Sequence, residues 1–119
     1  MERSPTEIRI RKKSRLLAVS FDDGAAFELP FEYLRVSSPS AEVRGHGPGQ
    51  EVLQTGKENV DIKGIEPMGR YALRIVFDDG HDTGLYTWSY LYQLGAEYET
   101  RWQDYLDRLQ AAGYARQQD

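Results

Sequence analysis

At 119 residues the chain has the length of one domain, with enough surface to bury a single core. It has no cysteine, which excludes disulfides, thiolate metal sites, cysteine-held iron–sulfur clusters and cysteine nucleophiles. A net charge of −4 and a pI near 5.2 argue against nucleic acid as a partner, because phosphate binding needs a cationic field.

The N-terminus, Met1 to Pro5, lacks the apolar stretch of a signal peptide. No apolar run approaches the roughly 18 residues of a membrane span, so a cytoplasmic address with no membrane partner is expected. Residues 7–11 alternate, with Ile8 and Ile10 on one face, and predict a half-buried strand. Lys13-Ser14 turns the chain into a second strand, Leu16 to Phe21. Five basic residues, Arg9, Arg11, Lys12, Lys13 and Arg15, cluster here, and the expected role is a solvated hairpin tip. Asp22-Asp23-Gly24 reads as a tight turn before a third strand, Ala25 to Leu29. Pro30 suits the start of a short helix, Phe31 to Val36.

Residues 37–58 are rich in Ser, Gly and Pro and read as a long flexible loop. Val60 to Glu66 and Tyr71 to Phe77 predict a strand pair, turned at Pro67-Met68-Gly69. Asp78-Asp79-Gly80 turns again, and Thr83 to Tyr86 is a short strand. Thr87 is a candidate N-cap for a helix from Trp88, interrupted at Gly95. Tyr98, Trp102, Leu106 and Leu109 then share one helical stripe with Tyr105 beside it, and Gly113 sits where a helix stops.

Two segments match. Leu17 to Gly24 resembles Leu73 to Gly80, and Phe31-Glu32-Tyr33-Leu34 lines up with Trp88-Ser89-Tyr90-Leu91. A lone hairpin-plus-helix cannot bury its apolar face, whereas two can bury theirs together. The expected fold is α+β: two repeated hairpin-plus-helix units forming a mostly antiparallel sheet, with the C-terminal helix packed on it. Residues 1–119 are expected to make a single domain with its core over about 5–112. The turn aspartates sit beside glycine at hairpin tips, where a conformational role outweighs a catalytic one.

At Phe77-Asp78-Asp79-Gly80-His81, followed by Trp88-Ser89-Tyr90-Leu91, the chain resembles the N-terminal domain of γ-butyrobetaine hydroxylase and trimethyllysine hydroxylase. The resemblance spans roughly residues 5–110 and extends to stand-alone bacterial proteins and to domains fused to P-loop iron–sulfur carriers. It implies a structural zinc site in the hydroxylases, made of a Cys-x-Cys-x-x-Cys stretch after the first Leu-Arg and a histidine after the second acidic turn. Here Leu34-Arg35 is followed at that spacing by Ser38, Ser40 and Val43, and His81 stands where the histidine would be. Hydroxyls that stay protonated and an isopropyl group do not replace thiolates, so no metal and no other cofactor are expected. The oxygenase chemistry of the resembled enzymes belongs to another domain and needs a two-His-one-carboxylate triad. The two histidines here, His46 and His81, do not supply one.

No catalytic motif emerges, and the expected function is a non-enzymatic protein-interaction or accessory module. A protein partner or self-association is expected, through an aromatic strip of Tyr86, Trp88, Tyr90 and Tyr92 together with His46 in the loop. The alternative is a metal-linked accessory role, in iron–sulfur cluster assembly or through residual metal binding at His81. A third reading is a small-ligand pocket between the units, lined by Tyr and Trp near Asp82 or Glu66.

Overall fold

The computed structural model describes residues 3–45 and 51–116. Along the chain it has β1 (Pro5–Arg11), β2 (Leu16–Phe21), β3 (Ala26–Pro30), α1 (Phe31–Val36), α2 (Ala41–Arg44), β4 (Ile62–Met68), β5 (Ala72–Phe77), β6 (Leu85–Thr87), α3 (Trp88–Ala96) and α4 (Tyr98–Ala111). The fold is α+β. Its strands divide into two three-stranded antiparallel sheets, β1-β2-β3 and β4-β5-β6, and each sheet runs directly into a helix. No helix among the described residues is long and apolar enough to cross a membrane.

Period-two alternation gives each central strand an inner face. Leu17, Val19 and Phe21 of β2 and Leu73, Ile75 and Phe77 of β5 are all buried. They enter one hydrophobic cluster with Phe31, Leu34, Leu91 and Leu94, so both sheets and the helices after them share a core.

The acidic turns have the same construction. The Phe21 N–H donates to Ala25 O at 2.8 Å, and the Phe77 N–H to His81 O at 3.0 Å. Asp23 Oδ1 accepts the Ala25 N–H at 2.9 Å, and Asp79 Oδ1 the His81 N–H at 3.2 Å. Gly24 and Gly80 take φ of 90° and 89°, which a side chain would strain. These aspartates therefore hold turns, as expected.

The contacts joining the two units also come in matched pairs. The Tyr33 hydroxyl of α1 donates to Leu94 O in α3 at 2.7 Å, and the Tyr90 hydroxyl of α3 donates to Ser37 O after α1 at 2.6 Å. Tyr33 aligns with Tyr90 and Ser37 with Leu94, so each unit grips the other at the corresponding place. Close packing joins the units too, here through two glycines of the second: a Cβ on Gly95 would lie 2.3 Å from the Phe27 ring, and one on Gly84 would lie 2.5 Å from Ser38 Oγ. Gly95 thus does not interrupt α3. It lies inside the helix because the Phe27 ring leaves no room there, and the break comes at Glu97.

Part of the basic cluster is a staple between the units. Lys12 Nζ donates to Asp61 Oδ1 at 3.3 Å and also to Ile62 O, and Arg15 donates to Val60 O. Arg9 and Arg11 pair with Glu7 and Glu28 on the exposed sheet.

α4 closes the chain. Its Tyr98 and Trp102 rings meet Tyr33 edge-on, at 4.8 and 6.2 Å between centroids, and Tyr105 and Leu109 are buried. The helix stops where Gly113 takes a φ of 76°, the Gly113 N–H reaching Gln110 O and the Tyr114 N–H reaching Leu109 O.

Candidate functional site

The segment after α1 folds back onto the second acidic turn. Ser40 caps α2, its Oγ accepting the Glu42 N–H at 3.2 Å and sharing a 2.7 Å hydrogen bond with Thr83 Oγ1. Cap and turn bring Ser38 and Glu42 to opposite sides of the His81 ring. His81 Nε2 lies 2.7 Å from Ser38 Oγ, and Nδ1 lies 2.9 Å from Glu42 Oε2. Ser38, Ser40, Val43 and His81 are all buried, so the segment that carries the first three lies at the histidine.

Burial holds the His81 imidazole below its usual pKa, helped by the nearby Arg35 guanidinium and opposed by Glu42 and Asp79. In the neutral ring, Nδ1–H donates to the Glu42 carboxylate and Nε2 accepts the Ser38 hydroxyl hydrogen. The same hydroxyl accepts the Ser40 N–H at 3.3 Å. Behind it, Arg35 is buried and donates to Asp79 Oδ2 at 2.9 Å and to Gln54 Oε1 at 3.0 Å, while Lys57 reaches Asp79 Oδ2 at 2.7 Å. Burial works against the Asp79 charge, but Lys57, the His81 N–H and Arg35 outweigh it and hold this carboxyl below its usual range.

This donor set does not fit zinc. Two hydroxyls and an isopropyl group offer no thiolate, and both imidazole nitrogens are engaged within the protein. Among the described residues no group of three or more His, Asp or Glu side chains could hold a metal ion. Ser38, His81 and Glu42 also form a serine–histidine–carboxylate series, but the hydroxyl is poorly placed as a nucleophile. Ser38 is 1% exposed, and its Oγ lies against Gly84 so closely that a single methyl group there would collide.

Beside this corner lies a cavity of about 620 Å³. Its walls come from the 36–38 and 43–45 stretches, from residues 51–54 and from one side of α4. Val36, Val43, Val52 and Leu53 supply apolar surface, and Arg44, Arg101 and Arg108 supply three guanidiniums against the carboxylates of Glu51 and Asp104. Tyr90 stands among them, with the Arg44 guanidinium 4.8 Å and the Arg101 guanidinium 5.8 Å from its ring centre.

The aromatic strip is dispersed. Tyr86 is fully buried, its hydroxyl bonded to Leu34 O, and that burial removes it from any contact surface. Tyr92 packs on Phe21 and Phe27 and donates to Asp23, Trp88 donates to Arg70 O, and Tyr90 alone lines the cavity. His46 lies outside the described residues. Asp82 and Glu66, expected near a pocket, are both paired with Arg74. The described parts of the 37–58 segment are tied down, by the Val52 N–H to Val43 O and by the Tyr105 hydroxyl to Gln54 O. Glu42, Thr83, Arg35 and Arg44 were not singled out in the sequence. Only Ser40, at cap spacing before Glu42, hinted at the turn that gathers them.

Fold and corner together define the class: a small domain of two strand-and-helix units in which a histidine of the second unit locks the segment following the first. The chain belongs to the gamma-butyrobetaine hydroxylase-like N-terminal family, whose sequence model it matches over residues 8–92. Two proteins solved by solution NMR are similar to it. One is 49% identical with a TM-score of 0.85, covering 100% of this chain and 94% of that one. The other is 52% identical with a TM-score of 0.82, covering 96% and 85%. A crystal structure from Acidithiobacillus ferrooxidans, of a protein with unknown function in the DUF971 family, is 40% identical with a TM-score of 0.67, covering 79% and 94%. No curated protein matches the chain.

Proposed function

We propose that the chain is a non-enzymatic, cytoplasmic interaction module that docks a protein partner in the cavity between the segment after α1 and α4. The observation that carries this reading is the contrast between two neighbouring places. At the His81 corner the ring is saturated by partners inside the protein, and Ser38 lacks the room an acyl intermediate would need. At the cavity, charged and apolar groups line about 620 Å³ of open space, and Val52 is 54% exposed beside it. The metal-linked alternative loses support from His81, the ligand it requires, because both ring nitrogens are engaged.

A photo-crosslinking side chain placed at position 52, and for comparison at the exposed position 99 of α4, tests the reading in the cells that make the protein. The expected result is one discrete adduct from position 52, competed away by excess unlabelled protein, and none from position 99. No adduct from position 52, or the same adducts from both positions, overturns it.

A further inference from the structure

Resting on that docking reading, we propose that the cavity selects an acidic, apolar segment of its partner: a carboxylate received by Arg44, beside an apolar side chain seated on Val43, Val52 and Leu53. Local charge runs against the protein as a whole. The chain carries −4 overall, yet the cavity wall holds three arginines and two carboxylates. Arg108 is answered by Asp104 at 3.2 Å, and Arg101 by Glu97 at 2.9 Å. Among the described residues no carboxylate pairs with Arg44, whose guanidinium lies over the Tyr90 ring.

That placement suits an anion receptor. Stacking on an aromatic face fixes the guanidinium plane and leaves its N–H edge free to bind a carboxylate in bidentate fashion. Tyr90 is itself fixed, because its hydroxyl is bonded to Ser37 O at 2.6 Å, so the receptor is largely ordered before the ligand arrives. Phosphate-rich ligands fit less well. The Glu51 and Asp104 carboxylates share the cavity and would repel a multiply charged anion, whereas one carboxylate can meet Arg44 alone.

The test uses the full chain and two short peptide probes, one alternating glutamate with leucine and the other with glutamine in place of each glutamate. Binding is followed by the amide shifts of Val43, Val52, Tyr90 and Arg101. The glutamate peptide is expected to shift these amides and to bind about tenfold more tightly than the glutamine peptide, with an affinity that falls as salt is raised. Arg44→Glu, at an exposed position, should remove that preference, and Arg44→Lys should keep part of it. Unchanged far-UV circular dichroism would show that the variants remain folded. Equal binding of both peptides, or a crosslinked partner at position 52 that survives Arg44→Glu undiminished, overturns the acidic selectivity and leaves the docking reading standing. No cavity shift with either peptide and no adduct from position 52 overturns both. A position-52 adduct of twice the chain's mass identifies a second copy as the occupant and overturns the partner proposed here.

Discussion

His81 is the residue on which the corner turns, and its protonation has a predictable cost. Its folded pKa lies below the ordinary imidazole value of about 6.5, so between the two values the unfolded chain binds more protons than the folded one. Stability therefore rises with pH across that window, is fully present above it, and is lost as pH falls from about 6.5 toward the folded value. The depressed pKa of Asp79 acts in a lower range, because its contribution persists until pH nears the ordinary carboxylate value of 3.8. Urea midpoints measured from about pH 7 to about pH 5 should decline for the natural chain and decline less for His81→Gln. His46 is present in both proteins and cancels in the comparison; parallel slopes would refute the assignment. The same residue supports a second test. Ser38→Cys, Ser40→Cys and Val43→Cys together should create a site that takes up one zinc ion with His81, because thiolates supply what hydroxyls lack. The natural chain, purified without a tag, should hold none by elemental analysis. Stoichiometric zinc in the natural chain would sink the view that these donors cannot grip a metal.

At the level of elements, Gly95 separates propensity from packing. Alanine is the better helix former by about 1 kcal/mol, yet its Cβ at position 95 would meet the Phe27 ring at 2.3 to 2.6 Å. Overpacking of that kind costs about 1–3 kcal/mol, so Gly95→Ala should lower stability, and Phe27→Leu added to it should recover part of the loss in chemical denaturation. If Gly95→Ala stabilises the protein, the contact is softer than its geometry implies. Reading Gly95 as a helix interruption failed because its reason lies in β3, far away in sequence. Elements whose signals are local were legible: the Thr87 cap accepts the Tyr90 N–H three residues on, and Gly113 ends α4 within its own last turn. The matched strand-and-turn segments were legible because alternation and an Asp-Asp-Gly turn need only neighbours. The corner was legible in outline, because the family resemblance set His81 against Ser38, Ser40 and Val43 and Ser38 does meet the ring. Glu42 was missed, since it meets His81 across 39 residues and its element, α2, is a single turn inside a stretch rich in helix breakers. Tyr86 was misplaced on the surface because β6 has three residues, too few for alternation to assign a face.

For the molecule as a whole, the question is whether two units that look alike also melt alike. Their sheets share no strand pairing, which would permit independent unfolding. The core argues otherwise, because Leu17, Val19 and Phe21 of the first unit lie in one cluster with Leu73, Ile75 and Phe77 of the second. Reciprocal tyrosine hydrogen bonds and the Lys12 and Arg15 staple add polar links across the same boundary. Trp88, bonded to Arg70 O, reports on the second unit, and because Trp102 meets Tyr33 of the first, the test is made in a Trp102→Phe background. Leu17, in the first unit, is fully buried, and its replacement by alanine should cost about 2–5 kcal/mol. If the core is shared, Leu17→Ala lowers the urea midpoint seen by tryptophan fluorescence as much as the midpoint seen by far-UV circular dichroism. A fluorescence transition that stays in place while the circular dichroism transition moves would mean that the second unit stands alone. The cavity proposed for docking would then be built across two bodies free to move, because its walls come from the segment following α1 and from α4.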